Sequence, residues 1–120
     1  MLFRSMSCYS PDIVYFDVVP PLRFVGSAAL RGRFTDWFAG FRGPIAMDVR
    51  DLEVSTGADL AVVHWLSRAR GTLTTGREVG LWVRATSCCR RYDAGWLVTH
   101  EHVSLPADLA TGRAATDQTP

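Results

Sequence analysis

The spacing of hydrophobic positions changes once along this chain, and the change divides it in two. Between residues 28 and 41, Leu30, Phe34, Trp37, Phe38 and Phe41 recur at i, i+4, i+7, i+8 and i+11. That is one stripe of an amphipathic helix. Ser27 is an acceptable N-cap, and Gly40, Gly43 and Pro44 supply the stop. From residue 45 onward the period drops to two, the alternation of strands. Four segments carry it: 45–56, 60–71, 77–93 and 96–106, separated by short turns rich in glycine and aspartate. Before the helix, "SPD" at 10–12 reads as a turn, and "IVYFDV" at 13–18 is β-branched and aromatic enough for a short strand that Pro20-Pro21 ends.

The pattern predicts an α+β domain: a short strand, one main helix, then an antiparallel meander. A helix laid across a strongly bent sheet covers part of one face, and the uncovered part makes a cavity. The whole chain, 1–120, reads as one domain, with 1–9 a short N-terminal remnant and 107–120 a small, polar, loosely held tail.

Which strand face lines that cavity decides the chemistry. In "WLVTHEHVSLP", one face carries Trp96, Val98, His100, His102 and Ser104; the other carries Leu97, Thr99, Glu101, Val103 and Leu105. If the first face looks inward, the neighbouring strands add Trp82, Arg84, Thr86 and Cys88, and then His64 and Arg68. Burying so many polar groups without partners costs about 1–3 kcal/mol each, so their convergence points to a wet or ligand-filled pocket. Each histidine taken alone is more often a satisfied structural residue than a catalyst, and Arg84 is equally at home as an ion-pair partner of Asp17 or Asp48. Asp17 follows an apolar run and is a candidate acid/base group, since an apolar pocket raises a carboxyl pKa toward neutrality. A strand-end aspartate held by backbone amides is the plainer alternative. Two histidines at i, i+2 can ligate a metal ion, with His64 as a third ligand, but no cysteine or carboxylate pattern requires one, and no metal or cofactor is expected.

Composition alters this picture little. The chain is 48% hydrophobic and 21% charged, with a net charge of +1, which gives no electrostatic case for nucleic-acid or membrane partners. Cys8, Cys88 and Cys89 form no disulfide framework, and packing is their simplest role. No apolar run approaches the roughly 20 residues of a membrane span, and the start of the chain lacks the pattern of a signal peptide. A reducing cytoplasm is the expected location.

The stretches "SPDIVYFDVVPPLRFVG", "LAVVHWLSRARGT", "GLWVRATSCCRRYDAGWLVTHEHVSLP" and "GRAATDQTP", with "WF" in the helix, resemble the SnoaL-like, ketosteroid-isomerase-like branch of the NTF2-like superfamily. The resemblance runs from about residue 10 to the C-terminus. It implies a cone of bent antiparallel sheet around helices, a pocket inside, and a homodimer, often formed through the convex sheet face. Members usually begin with one or two further helices, whereas nine residues precede Ser10 here, so a more open pocket is expected. The superfamily includes isomerases, cyclases, dehydratases and non-catalytic association domains, so fold alone does not fix function.

The expected ligand is a small, mostly apolar organic molecule. The expected chemistry, if the protein is an enzyme, is proton transfer next to a carbonyl: isomerisation, cyclisation or dehydration. His100, His102 or Asp17 would move the proton, and Arg84 or Tyr15 would stabilise the oxyanion, as tyrosines do in ketosteroid isomerases. His64, Trp82, Thr86, Trp96, Ser104 and the helix residue Trp37 would line the site. The alternative is a non-catalytic association domain whose important surface is the other face, with Val63, Trp65, Leu81, Val83, Leu97 and Val103.

Overall fold

A computed structural model describes residues 6–120; the first five positions of the expected N-terminal remnant lie outside the described residues. The elements are β1 (Tyr9–Phe16), β2 (Phe24–Val25), α1 (Ser27–Ala39), β3 (Phe41–Thr56), β4 (Leu60–Leu73), β5 (Glu78–Tyr92), β6 (Gly95–Ser104), β7 (Ala107–Asp108) and β8 (Arg113–Ala114). Among the described residues β1 to β6 form a six-stranded sheet in the order β2-β1-β6-β5-β4-β3, and β7-β8 form a separate ladder. The elements form the α+β domain that the pattern predicts, as the cone that the resemblance implies. The sheet is mixed: β3 to β6 make the antiparallel meander, but β1 lies parallel to β6.

Short turns set the meander. Gly57 donates to the Leu60 carbonyl at 2.7 Å, closing the β3–β4 hairpin. Leu73 donates to Arg77 and Gly76 to Leu73, both at 2.8 Å, closing the β4–β5 turn. Gly76 takes the positive φ of 90° that this turn requires. Both prolines found within strands lie where the ladder is irregular. Pro11 falls in the shift between Tyr9 and Val14, and Pro44 in the shift between Arg42 and Ala46. A residue without an N–H is tolerated there because no ladder bond is lost. This is also why "SPD" belongs to β1 and is not a turn.

Helix α1 begins and ends differently from its sequence signals. Gly26 is the N-cap, with no side-chain cap, and Ser27 is already helical. Gly40 closes the helix, donating to Asp36 and Trp37 at 3.2 Å, and Phe41 becomes the first residue of β3. Phe41 still contacts the helix, its ring 5.2 Å from Trp37 at 71°. It also lies flat over Gly71 of β4, where a Cβ would sit 2.8 Å from its Cδ1.

The tight core sits at one end of the sheet. Ile13 and Leu30 are fully buried, with Met6 and Tyr15 beside them, and Tyr9, Phe24, Phe34, Val98 and Val103 pack around this group. These side chains fasten α1 to β1 and β6. The far end is open: Met47, Val49, Leu52 and Val54 of edge strand β3 are each more than half exposed. No helix among the described residues is long and apolar enough to cross a membrane.

Gly71→Ala is expected to push Phe41 off the sheet and disturb its contact with Trp37. The loss should be about 1–3 kcal/mol of unfolding free energy, measured by urea denaturation. An unchanged midpoint would show that the close approach of Phe41 is not needed.

Candidate functional site

A cavity of about 530 Å³ lies between α1 and the sheet, on the face where the core ends. Its wall is mostly apolar and aromatic: Phe34 and Trp37 from α1, Phe41 and Met47 from β3, Trp65 from β4, and Val83 and Val103 from the central strands. The cross-strand register explains this set. Trp65 pairs with Ala85, Ser67 with Val83, Ala69 with Leu81 and Met47 with Ala69, so all point to one side.

Polar groups are few, and they sit together. Glu101 of β6 is 8% exposed. Tyr9 donates to its Oε2 at 2.8 Å, and Ser87 of β5 donates to its Oε1 at 2.5 Å. Tyr15 faces it from the neighbouring strand, paired in register with Glu101. Burial pushes the phenol pKa of both Tyr9 and Tyr15 well above its ordinary value, and the Glu101 carboxylate adds to the rise. Both tyrosines are therefore protonated donors at neutral pH. Nearby, Arg33 of α1 donates from Nε to Asp17 Oδ2 at 2.8 Å, and the Val18 amide donates to Asp17 Oδ1 at 2.7 Å.

Among the candidate residues, the structure brings Tyr15, Asp17 and Trp37 to this cavity. Asp17 arrives already engaged, as the partner of Arg33 and of a backbone amide. His64, Trp82, Arg84, Thr86, His100, His102 and Ser104 do not line it; they lie on the opposite face of the sheet. There His64 pairs with Thr86, and Thr86 with His102, while Arg84 pairs with Ser104. His64, Trp82, Arg84, His100, His102 and Ser104 each have a structural contact. His100 Nδ1 is 2.7 Å from the Val14 carbonyl oxygen. The Phe16 ring packs edge-on to His100 and His102 at 4.8 and 5.4 Å. His64 lies 3.6 Å from Glu53, Arg84 donates to Ser104 at 3.1 Å, and Arg68 lies 5.0 Å over Trp82. Asp48 is taken by Arg68 and Arg70 and not by Arg84.

Trp96 is out of phase with the two histidines for a specific reason. Cys88 pairs with His100 but Cys89 pairs with Val98, so Thr99 is an extra residue, a β-bulge. The bulge puts Val98 into the core beside Leu30, opposite to His100, and leaves Trp96 exposed beyond the cavity. On the face expected to serve association, Trp65, Leu81, Val83 and Val103 line the cavity.

Glu101, Tyr9, Ser87 and Arg33 were not singled out by the sequence pattern. The available signal was a lone glutamate between Thr99 and Val103, on the more apolar face of its strand. Burial pushes the Cys89 thiol pKa up, which disfavours a reactive thiolate. Among the described residues no group of three or more His, Cys, Asp and Glu side chains could hold a metal ion.

A curved mixed sheet with a helix across it and an apolar cavity between defines an NTF2-like cone. The family pattern of the SnoaL-like domain matches residues 2–108, and the chain belongs to that family. An NTF2-like protein of unknown function from Pseudomonas putida KT2440 is 32% identical, with 99% of this chain and 82% of that one covered and a TM-score of 0.88. A ketosteroid isomerase-like protein from Erwinia carotovora atroseptica SCRI1043 shares the fold at 21% identity, with 86% and 79% covered and a TM-score of 0.71. A protein from Xanthomonas campestris, provisionally named a calcium/calmodulin-dependent protein kinase II association domain, shares it at 18% identity, with 86% and 72% covered and a TM-score of 0.74. Comparison with curated protein sequences gives no match.

The tyrosines fix the sign of one pH effect. Both phenols stay protonated in the fold, whereas in the unfolded chain they ionise near pH 10. Above that pH the unfolded state holds fewer protons than the folded one, so their stabilisation, fully present below about pH 10, declines as pH rises. Tyr9→Phe should flatten this alkaline decline. At pH 8 it should also cost about 1–3 kcal/mol, because Glu101 loses a donor. Urea unfolding at pH 8 and pH 10.5 reads both effects.

Proposed function

We propose that the protein binds a small, mostly apolar organic molecule in this cavity and transfers a proton next to its carbonyl group. The observation that carries this reading is a buried carboxylate, Glu101, set beside two protonated phenols at the end of an apolar, aromatic cavity. Such a site can hold a ketone by its hydrocarbon surface. Tyr15 is the donor to the carbonyl oxygen, where negative charge develops as the neighbouring C–H bond breaks. Its raised pKa keeps it protonated and able to donate. Glu101 is the group that accepts the proton, with Tyr9 and Ser87 fixing its orientation. The exchange of roles is direct: the histidines expected to move the proton face away from the cavity, and Glu101 takes their place. The resemblance to a ketosteroid isomerase-like protein accords with proton-transfer chemistry on this fold.

Self-association is a second reading, favoured by the unpaired edge of β3. Met47, Val49, Leu52 and Val54 are exposed there, and edge strands with apolar side chains tend to pair with other chains. The provisional association domain from Xanthomonas campestris has the same fold.

One assay separates the two. In D2O with 2-acetylnaphthalene, the protein should accelerate deuterium exchange at the methyl group next to the carbonyl, followed by proton NMR. Glu101→Gln should lower that acceleration roughly a hundredfold with the circular dichroism spectrum unchanged. If the wild-type protein gives no exchange above buffer, or the variant exchanges as fast, proton transfer at Glu101 is wrong and association is favoured.

A further inference from the structure

The hydrogen-bonding capacity of the cavity is not evenly spent, and the imbalance specifies a ligand. Both oxygens of Glu101 accept hydroxyl groups of the protein, from Tyr9 and Ser87. Both oxygens of Asp17 also accept, from the Val18 amide and Arg33 Nε. The acceptors in the wall are therefore already supplied with donors.

The donors are not used up in the same way. Arg33 projects from α1 with its side chain only 19% exposed, and it lines the cavity with Phe34 and Trp37. Its hydrogen bond to Asp17 uses Nε alone. Arg70, on the opposite face, behaves differently: it clasps Asp48 with both Nε and Nη2, at 2.7 and 3.2 Å. Among the described residues, the Nη groups of Arg33 have no protein acceptor. A guanidinium has five N–H donors in a fixed plane, and Asp17 holds that plane from its Nε edge. A cationic ligand would find the carboxylates here already engaged. An anionic oxygen would find an oriented pair of N–H donors beside an aromatic wall.

We propose that the cavity selects apolar molecules that carry a carboxylate, with Arg33 as the specificity-determining residue and Asp17 as the residue that positions it. This rests on the proposed small-molecule site and adds the class of ligand. The planar carboxylate matches the guanidinium edge by two parallel hydrogen bonds. The aromatic body of the ligand then lies against Phe34, Trp37 and Phe41. Asp17 does not compete for the ligand, because it occupies the other edge of the guanidinium.

The test compares two probes of similar shape, 2-naphthoate and 2-acetylnaphthalene, by isothermal titration calorimetry at pH 7. The wild-type protein should bind the carboxylate roughly tenfold to a hundredfold more tightly than the ketone. In Arg33→Met the ratio of the two affinities should fall toward one. Should that variant unfold because Asp17 loses its partner, the double replacement Asp17→Asn with Arg33→Met leaves no unpaired carboxylate, and the same fall is expected. Equal affinities in the wild-type protein, or a preference that survives either replacement, overturn the role of Arg33 while leaving the small-molecule site standing. If neither probe binds the wild-type protein, the site and the inference both fail.

Discussion

Three strands of this sheet are tied together by one buried carboxylate. Glu101 on β6 receives the hydroxyl of Tyr9 from β1 and that of Ser87 from β5. An ionised carboxylate in an apolar interior is strongly unfavourable unless each oxygen finds a donor, and removing one partner costs more than the bond itself is worth. Position 101 therefore constrains its surroundings. β1 must run parallel to β6 so that Tyr9 and Tyr15 reach the carboxylate, and the β5–β6 register must place Ser87 opposite it. The Thr99 bulge serves the same end, since it lets Val98 join the core while Glu101 stays on that face. The requirement that organises the strands also creates the polar end of the cavity.

The apolar part of the cavity follows from unequal packing. Ile13, Leu30 and their neighbours fill the space between α1 and the β1–β6 side. Over the β3–β5 side lie Phe34 and Trp37 of α1 and Phe41 at the start of β3, and small residues, Ser67, Ala69 and Ala85, floor the gap. Larger side chains there would close it. The molecule thus combines a firmly packed end, which can hold Glu101 and the tyrosines in fixed geometry, with a hollow end lined by apolar side chains. Arg33 and Asp17 sit where the two regions meet, on the helix and at the end of β1.

The architecture was legible because period and turn chemistry agree along the chain. The helical stripe around Leu30 and Phe34, and the alternation from residue 45 onward, lead directly to a helix on a meander. The site was legible only in part. Tyr15, Asp17 and Trp37 reach the cavity, but the clustered histidines point to the opposite strand face. The apolar face gave the better guide. On β4 it holds Val63, Trp65 and Ala69 against His64, Arg68 and Arg70, and on β5 it holds Leu81, Val83 and Ala85 against Arg84 and Thr86. Polar residues that converge on one face of a sheet are equally explained by solvent. Glu101 was obscured because a single glutamate in a strand looks like a surface residue until its two donors, distant in sequence, are placed beside it. The bulge at Thr99 has no marker in the local pattern, so strict alternation places Trp96 and His100 on one face where the structure separates them.

The proposed ligand site lies on the Glu101 face of the sheet, opposite the histidines. Its most direct test is an NMR titration of the isotopically labelled protein with 2-acetylnaphthalene, following backbone and side-chain resonances. With a ligand in the cavity, the largest shifts should fall at Tyr15, Phe34, Trp37, Trp65, Ser67 and Glu101, with His64, Thr86 and His102 nearly unmoved. Shifts concentrated on those histidines and Thr86 would place the binding surface on the opposite face and rule the cavity out.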